Sequence, residues 1–101
     1  MAVGAAFYGE TPEFGTDPAL LEPYSSAGPT PILFDAEGKR LRHPEIRRKP
    51  EIVAPDGTNT TFFPPFPNSD IEGDGFPNFF GTSAAAPHAA AVAALMLDLS
   101  L

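Results

Sequence analysis

The 101 residues predict an α/β arrangement in which short strands lead into one C-terminal helix. Three observations carry that prediction. Residues 2–8 and 51–57 are short apolar runs closed by glycine or a Pro-Asp-Gly turn, the pattern of buried strands. Residues 82–99 then change character, with eight alanines, one proline and no glycine, a composition that favours helix. Nearly all of the thirteen prolines and nine glycines lie before Thr82, which excludes long helices from the rest.

Taken in order, Ala2 to Tyr8 reads as the first strand. Pro12, Gly15 and Pro18 make residues 10–22 a loop, with one helical turn expected near Ala19, Leu20 and Leu21. Tyr24 starts a stretch of turn formers that ends at Pro31, and Ile32, Leu33 and Phe34 form a minor strand. Residues 39–49 read as a solvated basic loop, because Pro44 and Pro50 interrupt them. Residues 58–80 carry six phenylalanines, too many for a fully solvated loop, so several should pack. Within the helix, Val92, Leu95, Met96 and Leu99 recur at helical spacing and predict one packed face.

Composition removes several function classes. The chain has no cysteine, which excludes disulfide scaffolds, thiolate metal sites and thiol catalysis. Thirteen acidic residues against six basic ones give a net charge of −7, a poor match for nucleic acid. All six cations fall within residues 39–49, and no aromatic stacking platform is interleaved there. The uncharged stretch 75–97 is long enough to span a bilayer, yet Asn78, Pro87 and His88 and its many alanines mark a buried helix instead.

Gly81, Thr82 and Ser83 stand immediately before the helix. A serine at a helix N-terminus sits among unpaired N–H groups, in the positive end of the macrodipole. Those donors stabilise the charge that develops on a carbonyl oxygen under attack. Gly81 would let a substrate backbone approach closely. The plainer alternative is that Ser83 or Thr82 only caps the helix. Pro87 falls in the first turns, where a missing N–H costs least.

The string Gly81-Thr82-Ser83-Ala84-Ala85-Ala86-Pro87-His88 resembles the serine signature of the subtilases, the subtilisin-like serine peptidases. Two upstream blocks are similar to family segments and follow in the family's order. They are Tyr24-Ser25-Ser26-Ala27-Gly28-Pro29 and Lys49-Pro50-Glu51-Ile52-Val53-Ala54-Pro55-Asp56-Gly57, in which Asp56 is one residue more than the commonest form. The resemblance covers nearly the whole chain. It implies a parallel-sheet fragment of a subtilisin-like fold leading into the nucleophile helix, with residues 1–101 forming part of a peptidase catalytic domain. It also implies Ser83 as catalytic nucleophile, its N–H and the Thr82 hydroxyl as oxyanion support, and Gly81 where substrate backbone passes. The implied activity is serine endopeptidase hydrolysis of polypeptides through an acyl-enzyme. No cofactor is required; secretion is what the family implies.

A serine needs a base, and the chain offers two histidines. His88 lies five residues beyond Ser83, so the two side chains diverge around a helix by roughly 140°. His43 lacks the family's His-Gly-Thr context, and no Asp-Ser-Gly or Asp-Thr-Gly string supplies an orienting aspartate. The sequence is therefore expected to be the last third of a catalytic domain. By itself it would be inactive and marginally stable, needing an N-terminal part that carries the aspartate and histidine. Asp70-Ile71-Glu72-Gly73-Asp74-Gly75 opens like a calcium loop, but Gly81 stands where a bidentate glutamate is needed, which excludes an EF-hand. A structural calcium of another kind is what the family brings to such a loop; a solvated acidic turn is the simpler reading, and no metal ligand is assigned. The competing class is a catalytically dead remnant, or an acidic, phenylalanine-rich module that binds a protein partner.

Overall fold

The computed structural model describes residues 1–100. In chain order the elements are β1 (Val3–Phe7), β2 (Thr30–Phe34), β3 (Arg40–Arg47), β4 (Ile52–Asp56), β5 (Thr58–Asn59), β6 (Asn78–Phe79) and α1 (Thr82–Asp98). β1 and β4 pair in parallel, from Val3 opposite Ile52 to Phe7 opposite Asp56. β2–β3 and β5–β6 are antiparallel ribbons. The architecture is a small parallel sheet covered by one C-terminal helix, and it belongs to the α/β class.

What joins helix to sheet is alanine. Ala5 and Ala54 on the strands meet Ala85 and Ala89 on α1, with Val3 at the margin. A methyl-sized side chain on each surface lets backbones approach closely, and it fills little volume. Among the described residues the largest side chain wholly withdrawn from solvent is accordingly not apolar but the carboxylate of Asp56.

Several sequence expectations are corrected. Residues 39–49 are not a loop: Arg40–Arg47 forms β3, paired with β2 so that Thr30 faces Arg47 and Ile32 faces Glu45. Both strands of a two-stranded ribbon are edges, and an edge accommodates Pro31 and Pro44 because a proline can sit where no ladder donor is needed. Glu45 pairs with Arg47 at 2.6 Å and Arg40 stacks over Phe34. The helical turn expected near Leu20 is displaced upstream, as 3-10 turns at Tyr8–Glu10 and Pro12–Phe14. Leu21 instead bridges to Ala6.

The stripe Val92, Leu95, Met96 and Leu99 does not form a packed face either. Leu95 is 63% exposed and Leu99 87%, because the two strands beneath α1 are short and reach only its first half. Val92 and Leu95 border an open apolar groove of about 260 Å³ between α1 and β4, with Ile52, Val53 and His88. The phenylalanines of residues 58–80 do pack, largely on one another: Phe62 stacks on Phe79, and Phe63 meets both Phe66 and Phe79.

The accessible surface is 7507 Å² for a mass of 10.7 kDa. A folded monomer of that mass exposes about 5,500 Å², so roughly 2,000 Å² is uncovered beyond the norm. The radius of gyration, 17.2 Å, likewise exceeds the value of about 13 Å for a compact domain of this length. No helix among the described residues is long and apolar enough to cross a membrane.

Candidate active site

The site begins at a backbone feature. Gly81 adopts φ 109°, ψ 161°, a region essentially closed to residues with a Cβ. This turn makes Gly81 the N-cap of α1, and its carbonyl accepts the Ala84 and Ala85 N–H groups at 2.9 and 3.2 Å. A glycine cap has no side chain to donate or accept. The helix therefore starts without a side-chain cap, and its first turn holds no acidic residue.

Ser83 and Thr82 follow as the first two exposed residues of α1. Neither hydroxyl is used as a cap, and among the described residues neither backbone N–H has an acceptor. Ser83 thus presents a free hydroxyl and a free N–H at the positive end of a 17-residue helix. Pro87 is the sixth helical residue, beyond the positions whose donors are free anyway, so it cannot donate to the carbonyl of Ser83, four residues back. The cost of that proline falls next to the serine.

Asp56, at the end of β4, is fully buried. Its Oδ2 accepts the Gly81 N–H at 2.7 Å and also the Tyr24 hydroxyl. Its Oδ1 is buried with no partner among the described residues. Tyr24 is half exposed, and its hydroxyl is partly desolvated where it meets the buried Asp56 carboxylate. That desolvation, with the bond to Asp56, holds the hydroxyl protonated well above the ordinary phenol range. Behind it, the Ser25 hydroxyl accepts the Ala5 N–H at 3.0 Å. Gly57, at φ 71°, carries the chain past the rings of Phe7 and Phe80, where a Cβ would approach Phe7 to 2.7 Å. The three sequence blocks singled out by motif thus converge: Tyr24 from the first, Asp56 from the second and Gly81 from the third.

The histidines are elsewhere. The Nδ1 of His88 lies 2.9 Å from the Ala84 carbonyl on its own helix, and His43 stands exposed on β3. In the acidic loop, the Asp70 carboxylate turns inward. Its Oδ1 accepts the Gly73 N–H and its Oδ2 the Gly75 N–H, each at 2.7 Å. These bonds, that from Gly75 foremost, hold its pKa below the usual carboxylate range. The carboxylate closes its own turn.

With this geometry in place, the comparison with known families is decisive. The model of the Subtilase family matches residues 1–100. The chain belongs to the subtilase family. No curated protein and no solved structure matches it. Serine-type peptidase activity is what characterises subtilases as a family. In this subtilase chain the residues expected to matter, Gly81, Thr82 and Ser83, form one contiguous turn at the mouth of α1. Asp56 was read in the sequence only as part of a turn. The available signal was that it lengthens the family's block by one residue, directly before a glycine.

Proposed function

We propose that Ser83 is the nucleophile of a subtilisin-like serine endopeptidase. The observation that carries this reading is that Ser83 lies exposed in the first turn of α1 with its hydroxyl uncommitted, the capping position being taken by Gly81. A serine retained only to cap a helix would occupy the N-cap and bond back to the first-turn N–H groups. In the proposed reaction the Ser83 Oγ attacks a peptide carbonyl and its proton passes to a histidine base. The acyl-enzyme forms as the amine leaves, and water then releases the acid and restores the hydroxyl. The free Ser83 N–H donates to the oxyanion, with the Thr82 hydroxyl in support, and Gly81 leaves room for substrate backbone. The reaction asks for no cofactor.

The base and its orienting aspartate are assigned to polypeptide outside these 101 residues. Support comes from the commitment of His88 to the Ala84 carbonyl and from the roughly 2,000 Å² of surplus surface, the scale of a protein interface. The test is to express the reading frame with its upstream sequence and treat the product with a fluorophosphonate. The adduct is expected on Ser83, lost in Ser83→Ala, and negligible for residues 1–101 alone, since triad members act as a unit. An upstream frame carrying both triad blocks but giving no adduct on Ser83 would overturn the reading. A catalytic remnant, or a partner-binding module using exposed rings such as Phe62, would then replace it.

A further inference from the structure

We infer that Asp56 is a positioning residue for Ser83: its buried carboxylate ties the Gly81 turn from β4, doing from another strand what a capping side chain would otherwise do, and so leaves the serine free. The inference rests on Ser83 being the nucleophile. In an ordinary capping box, a Glu or Gln at the third helical position reaches back to the N-cap N–H. Here that position is Ala84, which is buried and has no such reach. The Gly81 N–H instead finds the Asp56 Oδ2 at 2.7 Å. The same carboxylate supplies the negative charge that the first turn of α1 lacks.

The unpartnered Oδ1 marks Asp56 as a buried carboxylate whose other oxygen alone carries its contacts. Burying an oxygen without a donor is costly, and a neutral side chain at this position would avoid burying a charge. What only the carboxylate provides is an anionic oxygen able to accept two strong bonds at once, from Gly81 and from Tyr24. Glycine reaches that conformation without strain but also many others, so Gly81 needs enforcement from its surroundings to stay in it. Asp56 on the rigid parallel pair is that enforcement, and Tyr24 fixes Asp56 in turn.

The test uses Asp56→Ala, Asp56→Asn and Tyr24→Phe in the peptidase assembled with its base. Asp56→Ala is expected to lower kcat about 100-fold, the scale of a misplacement near 1 Å, while KM moves less than about threefold. Asp56→Asn keeps one acceptor oxygen but loses its charge, so it should recover only part of that loss. Tyr24→Phe leaves the Gly81 bond and should cost less than Asp56→Ala. A kcat for Asp56→Ala within about threefold of the parent, or a matched fall in kcat and in folded fraction, would overturn the proposal. If Asp56→Ala does not fold, an Asp56→Asn and Tyr24→Phe pair with unchanged kcat overturns it equally. A second readout is independent of catalysis. Hydrogen exchange at the Gly81 amide, followed in glycine-labelled protein, should speed up about tenfold or more when the acceptor is removed. Unchanged Gly81 exchange refutes the tie itself, whereas fluorophosphonate labelling that survives Ser83→Ala refutes only the nucleophile.

Discussion

The two halves of α1 belong to one continuous helix, yet they behave as different objects. From Thr82 to Ala89 the helix is pressed onto β1 and β4, with Ala84, Ala85 and Ala89 all but inaccessible. From Val92 onward it stands clear, and its large apolar residues are mostly exposed. The alanine-rich first half, which also carries Pro87, has β1 and β4 beneath it; the second half, with Val92, Leu95, Met96 and Leu97, lies largely beyond them. Burial follows the small residues here because close approach of backbones needs them, and the start of α1 is thereby held against the strand that carries Asp56. The precision of the site comes from the alanine half. The leucine half contributes uncovered surface.

That contrast can be broken by exchanging what each half tolerates. Ala85→Leu, at a position with no accessible surface, should destabilise by about 1–3 kcal/mol through overpacking in a urea titration. Leu95→Ala in the same chain should stay within about 0.5 kcal/mol. An equally large loss at Leu95 would show that the outer half is covered in solution. Gly81→Ala sharpens the comparison at the helix mouth. A Cβ in that backbone region costs about 1–3 kcal/mol, and the labelling of Ser83 should fall more steeply than stability does.

The legibility of these features in the sequence divides along the same line. The strands around Ala5 and Ala54 and the helix from Thr82 were readable because apolar run length and alanine content are local properties. The string Gly81-Thr82-Ser83 was readable because its residues are adjacent. The exposed stripe was misread because periodicity reports that a face exists, not that anything lies opposite it. The β3 strand was hidden by Pro44 and by its charges, which a ribbon with two open edges accepts. Asp56 escaped because its partners, Tyr24 and Gly81, lie 32 and 25 residues away along the chain, and only the fold joins them.

The smallest expected effect contrasts two carboxylates that both accept backbone N–H groups. Asp56 is buried and holds a turn at the helix mouth; Asp70 lies in an open loop and holds only its own turn. Because the folded form keeps Asp70 ionised below its ordinary range, its contribution is complete above the unfolded pKa of about 4 and fades as pH falls through the lower, folded value. Exchange at the Gly73 and Gly75 amides should therefore stay slow at neutral pH and lose protection only in that acid window. Asp70→Asn should remove the acid dependence and leave kcat unaltered. If Asp70→Asn lowered kcat as Asp56→Ala is expected to, the acidic loop would have to be coupled to the helix mouth, and the division of the molecule into a positioning core and a passive periphery would fail.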